Sequence, residues 1–88
     1  MKQRYLEVTF RGGRPLAAYL YLPRAGGARA ARTVDEGHGL RVDIDEHGAV
    51  MGVEVTAPSA VSIAQVNSVL SRYGVEALDA QDWSPLAA

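Results

Sequence analysis

Leu40-Arg41-Val42-Asp43-Ile44-Asp45-Glu46-His47-Gly48-Ala49-Val50-Met51-Gly52-Val53-Glu54-Val55 is the stretch that decides the fold. Leu40, Val42 and Ile44 alternate with polar residues, and so do Met51, Val53 and Val55 with Gly52 and Glu54. A period of two is the mark of a strand with one face buried. Asp45-Glu46-His47-Gly48 between the two runs predicts a β-hairpin with a four-residue loop. That register pairs Ile44 with Ala49, Val42 with Met51 and Leu40 with Val53. It also gathers the aliphatic residues on one side of the sheet.

The same stretch carries a near match to a calcium-binding loop, with Asp43, Asp45 and Gly48 in place and Glu54 twelfth from Asp43. His47 stands where such a loop wants Asp or Asn. Calcium loops of that class lie between helices, whereas both flanks here have the period of strands. The expected register sets Glu54 opposite Gly39, four positions along from Asp43. At about 3.3 Å per residue the two carboxylates lie roughly 13 Å apart, too far to share an ion. A turn with solvated acids is expected, and no metal or other cofactor. His38 and His47 fall in separate turns, and nothing in their spacing makes them converge with a carboxylate.

Upstream, Tyr5 to Phe10 alternates, with Leu6, Val8 and Phe10 on one face and Tyr5, Glu7 and Thr9 on the other. Leu16 to Leu22 reads as the return strand after a five-residue loop, Arg11-Gly12-Gly13-Arg14-Pro15. Tyr5 then faces Tyr21, Leu6 faces Leu20, Glu7 faces Tyr19, Val8 faces Ala18 and Phe10 faces Leu16. One face of this hairpin is aliphatic and the other bears three tyrosines. Residues 28–35 form a weaker strand, supported mainly by Thr33 and Val34.

Downstream the period changes to that of a helix. Ser62 is a capping residue answered by Gln65, and Ile63, Val66, Val69, Leu70 and Tyr73 fall on one face. Gly74 is placed to end the helix, with Val75 folding back on Leu70. In the tail, Asp79 can cap one helical turn through Trp83 before Ser84-Pro85 stops it. Trp83 and Leu86 need cover from water.

The chain has 88 residues and no cysteine, which excludes disulfides, thiolate metal sites and a cysteine nucleophile. Length and composition predict a single domain over 1–88, with a sheet core at 4–59, a helix at 62–73 and a docking tail at 75–88. The first residues lack the apolar run of a secretory signal and no stretch is long enough to span a bilayer, so a cytoplasmic protein with no membrane partner is expected. No serine sits at a strand-to-helix elbow and no glycine pair is followed by a phosphate-binding Lys, so no enzyme is expected. Charge is uneven. Residues 1–34 carry seven cations against Glu7 alone, net +6, and residues 35–88 carry two against nine acids, net −7.

Two surfaces follow. Tyr5, Tyr19 and Tyr21, with Trp83, form a candidate protein interface, because tyrosine and tryptophan combine large contact area with a polar handle. Arg11, Arg14, Arg24 and Arg29, in or beside loops, are candidate contacts to single-stranded nucleic acid. A pI near 6.0 argues against a dedicated nucleic-acid binder.

Val42 to Val55, with its Asp-Ile-Asp-Glu-His-Gly turn and Gly-Val-Glu-Val strand, resembles the core of the small bacterial domain-of-unknown-function family 2283. Tyr19-Leu20-Tyr21-Leu22 is similar to that family's first hairpin, and Arg32-Thr33 to the stretch before its core. The family places an Asp a few residues before its Tyr, and here Leu16 stands there instead. The resemblance implies a small β-rich domain, sometimes encoded near toxin-like genes, and no established activity. The combined expectation is an α+β domain, a four- to five-stranded antiparallel sheet with the helix on its aliphatic face. Its function is expected to be that of a non-enzymatic homodimeric interaction module, antitoxin-like or a regulatory accessory.

Overall fold

Each alternating run becomes a strand, and the change of period after Pro58 becomes the change to helix. The computed structural model describes residues 4–23 and 29–87. In chain order these form β1 (Tyr5–Arg11), β2 (Arg14–Tyr21), β3 (Ala30–Gly37), β4 (Leu40–Asp45) and β5 (Val50–Val55). A 3-10 turn (Pro58–Ala60) leads to α1 (Ile63–Arg72) and α2 (Ala80–Ala87). The strands make one antiparallel sheet in the order β1-β2-β5-β4-β3, so the fold is α+β. Among the described residues no helix is long and apolar enough to cross a membrane.

The core follows from strand parity. Leu6, Leu20, Val53, Val42 and Val34 pair in one row across all five strands. Val8, Ala18, Val55 and Leu40 continue the next row on the same face. These residues share one buried cluster with Val66, Val69 and Leu70 of α1, and with Leu78, Trp83 and the partly buried Leu86 of the tail. Each fully buried Leu or Val is worth about 1.5–3 kcal/mol against exposure.

Local chemistry fixes α1. The Ser62 Oγ accepts from the Gln65 N–H at 3.2 Å while the Gln65 Oε1 accepts from the Ser62 N–H at 2.8 Å. At the other end Gly74 takes φ +70°, and the Val75 N–H returns to the Leu70 carbonyl at 2.9 Å, closing a Schellman motif. Polar tethers then hold the helical half together and to the strand half of the chain. Arg4 donates to the carbonyls of Glu76 and Ala77 at 2.6 and 2.7 Å and pairs with Asp82 at 3.3 Å. The Asn67 amide exchanges two hydrogen bonds with the backbone of Leu78. Glu36 on β3 accepts from the Tyr73 hydroxyl and from Arg72, and both hold its carboxyl below the ordinary value, Tyr73 first.

Four expectations are corrected. The β1–β2 loop is two residues long, Gly12-Gly13 at φ +59° and +77°, because glycine enters the left-handed region without penalty. Phe10 therefore pairs with Pro15, and Leu16 becomes the surplus residue of a bulge, 51% exposed. In the β4–β5 hairpin, Asp45 does not sit in the loop but closes it. Its N–H donates to the Ala49 carbonyl at 2.8 Å, and its carboxylate accepts from the N–H groups of His47 and Ala49 at 2.8 and 2.9 Å. Ile44 thus pairs with Val50, and Met51 is left without a β4 partner, so beyond it Val42 meets Val53 and Leu40 meets Val55. β3 runs from Ala30 to Gly37 rather than over 28–35, with Ala28 outside the described residues. Finally, α2 runs through Pro85 to Ala87. Trp83 and Leu86 anchor it in the core, which outweighs the hydrogen bond that proline removes.

The Asp45 turn yields a pH prediction. Hydrogen bonds, led by that from the Ala49 N–H, hold the Asp45 carboxyl below its ordinary value. A depressed folded pKa contributes stability above the unfolded pKa that is lost as pH falls through the folded one. Urea unfolding is therefore expected to find Asp45→Asn less stable than the native chain at neutral pH, with the gap closing in acid. A gap of constant size down to strongly acid pH would contradict the role given to this carboxylate.

Candidate functional face

The side of the sheet opposite the core is built from two rows, each crossing all five strands. Tyr5, Tyr21, Gly52, Asp43 and Thr33 make the first, and Glu7, Tyr19, Glu54, Arg41 and Asp35 the second. None of these residues belongs to the core cluster that joins the apolar residues of α1 and α2 to the sheet.

Gly52 organises this face. A Cβ there would stand 2.4 Å from Tyr19 Cε1, 2.6 Å from its hydroxyl oxygen and 2.7 Å from the Leu20 carbonyl oxygen. The Tyr19 ring lies across the bare backbone of β5 and reaches β4, where its hydroxyl donates to Asp43 Oδ2 at 2.6 Å. From the far side, Thr33 Oγ1 donates to Asp43 Oδ1, also at 2.6 Å. Asp43 is the hub of a hydrogen-bonded bridge over β2, β5, β4 and β3. An aromatic ring covering a strand glycine restores packing that the glycine lacks. A glycine inside a strand signals close approach, and this is the sequence mark that would have located the bridge.

The three tyrosines form a continuous strip. Tyr5 and Tyr21 stack with ring centroids 4.7 Å apart at 17°, and Tyr21 meets Tyr19 at 4.7 Å and 54°. Tyr21 also donates to Glu7 Oε1 at 3.3 Å. Such aromatic pairs contribute about 0.5–1.5 kcal/mol beyond buried area. Tyr5 remains 50% exposed at the outer end. Around the strip the two rows hold Glu7, Asp35, Asp43 and Glu54 against Arg41 alone, so the face is acidic.

Structure and expectation part at several residues. Trp83, expected beside the tyrosines, is only 9% exposed and lies in the core cluster, where it anchors α2. Asp43 and Glu54 share a face, but Glu54 stands opposite Arg41, two positions along from Asp43 rather than four. That is roughly 7 Å along the strand instead of 13 Å. Among the described residues no three His, Asp or Glu side chains gather to hold a metal ion. His38, at φ +55°, and His47 lie exposed in separate turns. Arg11 and Arg14 pair at the hairpin tip and Arg29 precedes β3, while Arg24 lies outside the described residues. None of Arg11, Arg14 and Arg29 makes an ion pair among the described residues.

A groove of about 770 Å³ is lined by Leu22, Ala49, Val50 and Val75 together with Arg4 and Tyr73. Two of its polar side chains are committed elsewhere, Arg4 to the backbone at Glu76 and Ala77 and Tyr73 to Glu36, while the exposed Glu76 also lines its rim. Comparison with protein-family models, curated proteins and solved structures returned no match for this chain.

Gly52→Ala tests the bridge. The added methyl meets a backbone carbonyl as well as the ring, so the strand must shift, with an expected loss of about 1–3 kcal/mol in chemical denaturation. Tyr19→Ala takes the ring away from the added methyl, at the cost of its own bond to Asp43 and its packing on Tyr21, and is expected to relieve part of that loss in the double variant. A neutral Gly52→Ala would mean that Tyr19 does not lie on Gly52.

Proposed function

We propose that this chain is a non-catalytic protein-interaction module of the cytoplasm that associates with itself through its tyrosine-bearing face. The observation that carries the reading is the stacked strip Tyr5–Tyr21–Tyr19, set on the side of the sheet away from the core cluster and held by side chains that cross four strands. Rigid aromatic side chains bind at low entropic cost, since each has two rotatable bonds and these are already fixed by stacking. A domain of 88 residues has a small core, and association adds buried area that it lacks alone. The resemblance to family 2283 implies a small β-rich domain without an established activity, and the antitoxin-like or regulatory accessory role is part of this proposal.

A second reading, single-stranded nucleic acid, is favoured by one observation, the exposed Arg11, Arg14 and Arg29 without ion pairs among the described residues. The four carboxylates of the neighbouring face oppose a phosphate backbone. Binding that collapses with added salt would mark this reading.

Sedimentation at micromolar concentrations is expected to give twice the chain mass. Tyr5→Ala with Tyr21→Ala, which spares the Tyr19–Asp43 bridge, is expected to weaken association by about tenfold or more. A chain that stays monomeric at high micromolar concentration would defeat the proposal.

A further inference from the structure

The tyrosine-bearing face is acidic, so stacking two such faces in direct register would set carboxylates against carboxylates. The β1–β2 hairpin itself offers another arrangement. On this face it reads, row by row toward its tip, Tyr5/Tyr21, Glu7/Tyr19, Thr9/Ala17, Arg11/Arg14. An acidic aromatic row and a purely basic row flank a row of small side chains at equal distances. Each lies two residues from Thr9, about 7 Å along the strand. The pairing of β2 with β5 ends at Ala18, so the part of the hairpin bearing Thr9, Ala17, Arg11 and Arg14 continues past the last strand pair as a two-stranded ribbon, with the Pro58–Ala60 turn packed against β2. Thr9, Arg11 and Arg14 are exposed.

We propose that two copies pack their β1–β2 hairpins face to face about a two-fold axis through the Thr9/Ala17 row, so that Arg11 and Arg14 of each copy seat on Glu7 and Tyr19 of the other. The inference rests on the self-association proposed above and specifies its geometry. A two-fold contact must be self-complementary, with every residue contact made twice. A charge pattern that inverts about its centre satisfies this condition, since the rotation brings each basic row onto the acidic row. Thr9 and Ala17 at the axis are small enough to let the two sheets approach. A guanidinium over a tyrosine beside a carboxylate gains both the ring's electrostatic attraction and a charge-assisted hydrogen bond. One chain cannot make this contact with itself, because Arg11 and Glu7 are held apart on the same strand. The arrangement also accounts for cations at the tip that find no ion pair in their own chain among the described residues.

A charge exchange tests the geometry. One variant carries Arg11→Glu and Arg14→Glu, and a second carries Glu7→Arg. Alone, each sets like charges together at both symmetric contacts, and sedimentation is expected to show a dissociation constant raised about tenfold or more. Mixed in equal amounts, the tip of each variant meets a face of opposite charge, and a dimer of near-native affinity is expected. Circular dichroism on each variant alone checks that the sheet is intact, and restored pairing in the mixture shows that both fold. A native dimer unaffected by either variant, or a mixture that stays monomeric, would overturn this geometry and leave self-association standing. A native chain that is monomeric would overturn both.

Discussion

Side chains on a strand alternate with a period of two, and the sheet keeps that alternation in phase across its central rows although four register irregularities interrupt it. Everything else depends on this phase. It delivers Leu6, Leu20, Val53, Val42 and Val34 to the core as one row and Tyr5, Tyr21, Gly52, Asp43 and Thr33 to the opposite face as the next. A slip of one residue on β5 would bury Glu54 and expel Val53. The Asp45 carboxylate, by fixing the end of the β4–β5 hairpin with two backbone hydrogen bonds, guards against that slip.

Much of this was legible in the residues, and where legibility failed the reason is specific. The pairing from Tyr5/Tyr21 to Val8/Ala18 followed from alternation alone, because both strands there are regular. The tip departs from the expected five-residue loop because two adjacent glycines permit a tighter turn, and the tighter turn displaces Leu16. In the β4–β5 hairpin the loop is shorter by one residue and Met51 is unpaired, so the true register differs by two from the expected one. Two single-residue shifts restore parity. Parity therefore determines the faces, while the partners depend on the loop length and on the unpaired Met51. The caps of α1 were legible because Ser62, Gln65, Gly74 and Val75 act within a few residues of one another. The passage of α2 through Pro85 was not, because it depends on where Trp83 and Leu86 find cover.

The candidate face shows the same division. Three tyrosines on one side of a hairpin can be read from spacing. Their connection to Asp43 and Thr33 cannot, since it requires knowing that β5 lies between β2 and β4, and that Gly52 leaves a gap there. The uneven charge of the chain acquires a structural meaning by the same route. Part of the basic excess sits at the hairpin tip, in Arg11 and Arg14, and part of the acidic excess lies on the face behind it, in Asp35, Asp43 and Glu54. On the β1–β2 pair itself the acid is Glu7, which stands across a row of small residues from Arg11 and Arg14, the pattern that a two-fold contact needs.

Crosslinking at the axis separates the proposed two-fold contact from any other association. The chain has no cysteine, so Ala17→Cys introduces a single thiol. Position 17 would lie opposite its own counterpart, and a thiol-reactive linker of about 10 Å matches the spacing of two sheets packed face to face. Rapid formation of a covalent dimer by Ala17→Cys, with little from a control thiol at the exposed Ser71 of α1, is the predicted result. Equal and slow crosslinking at both positions would contradict a two-fold axis at the Thr9/Ala17 row.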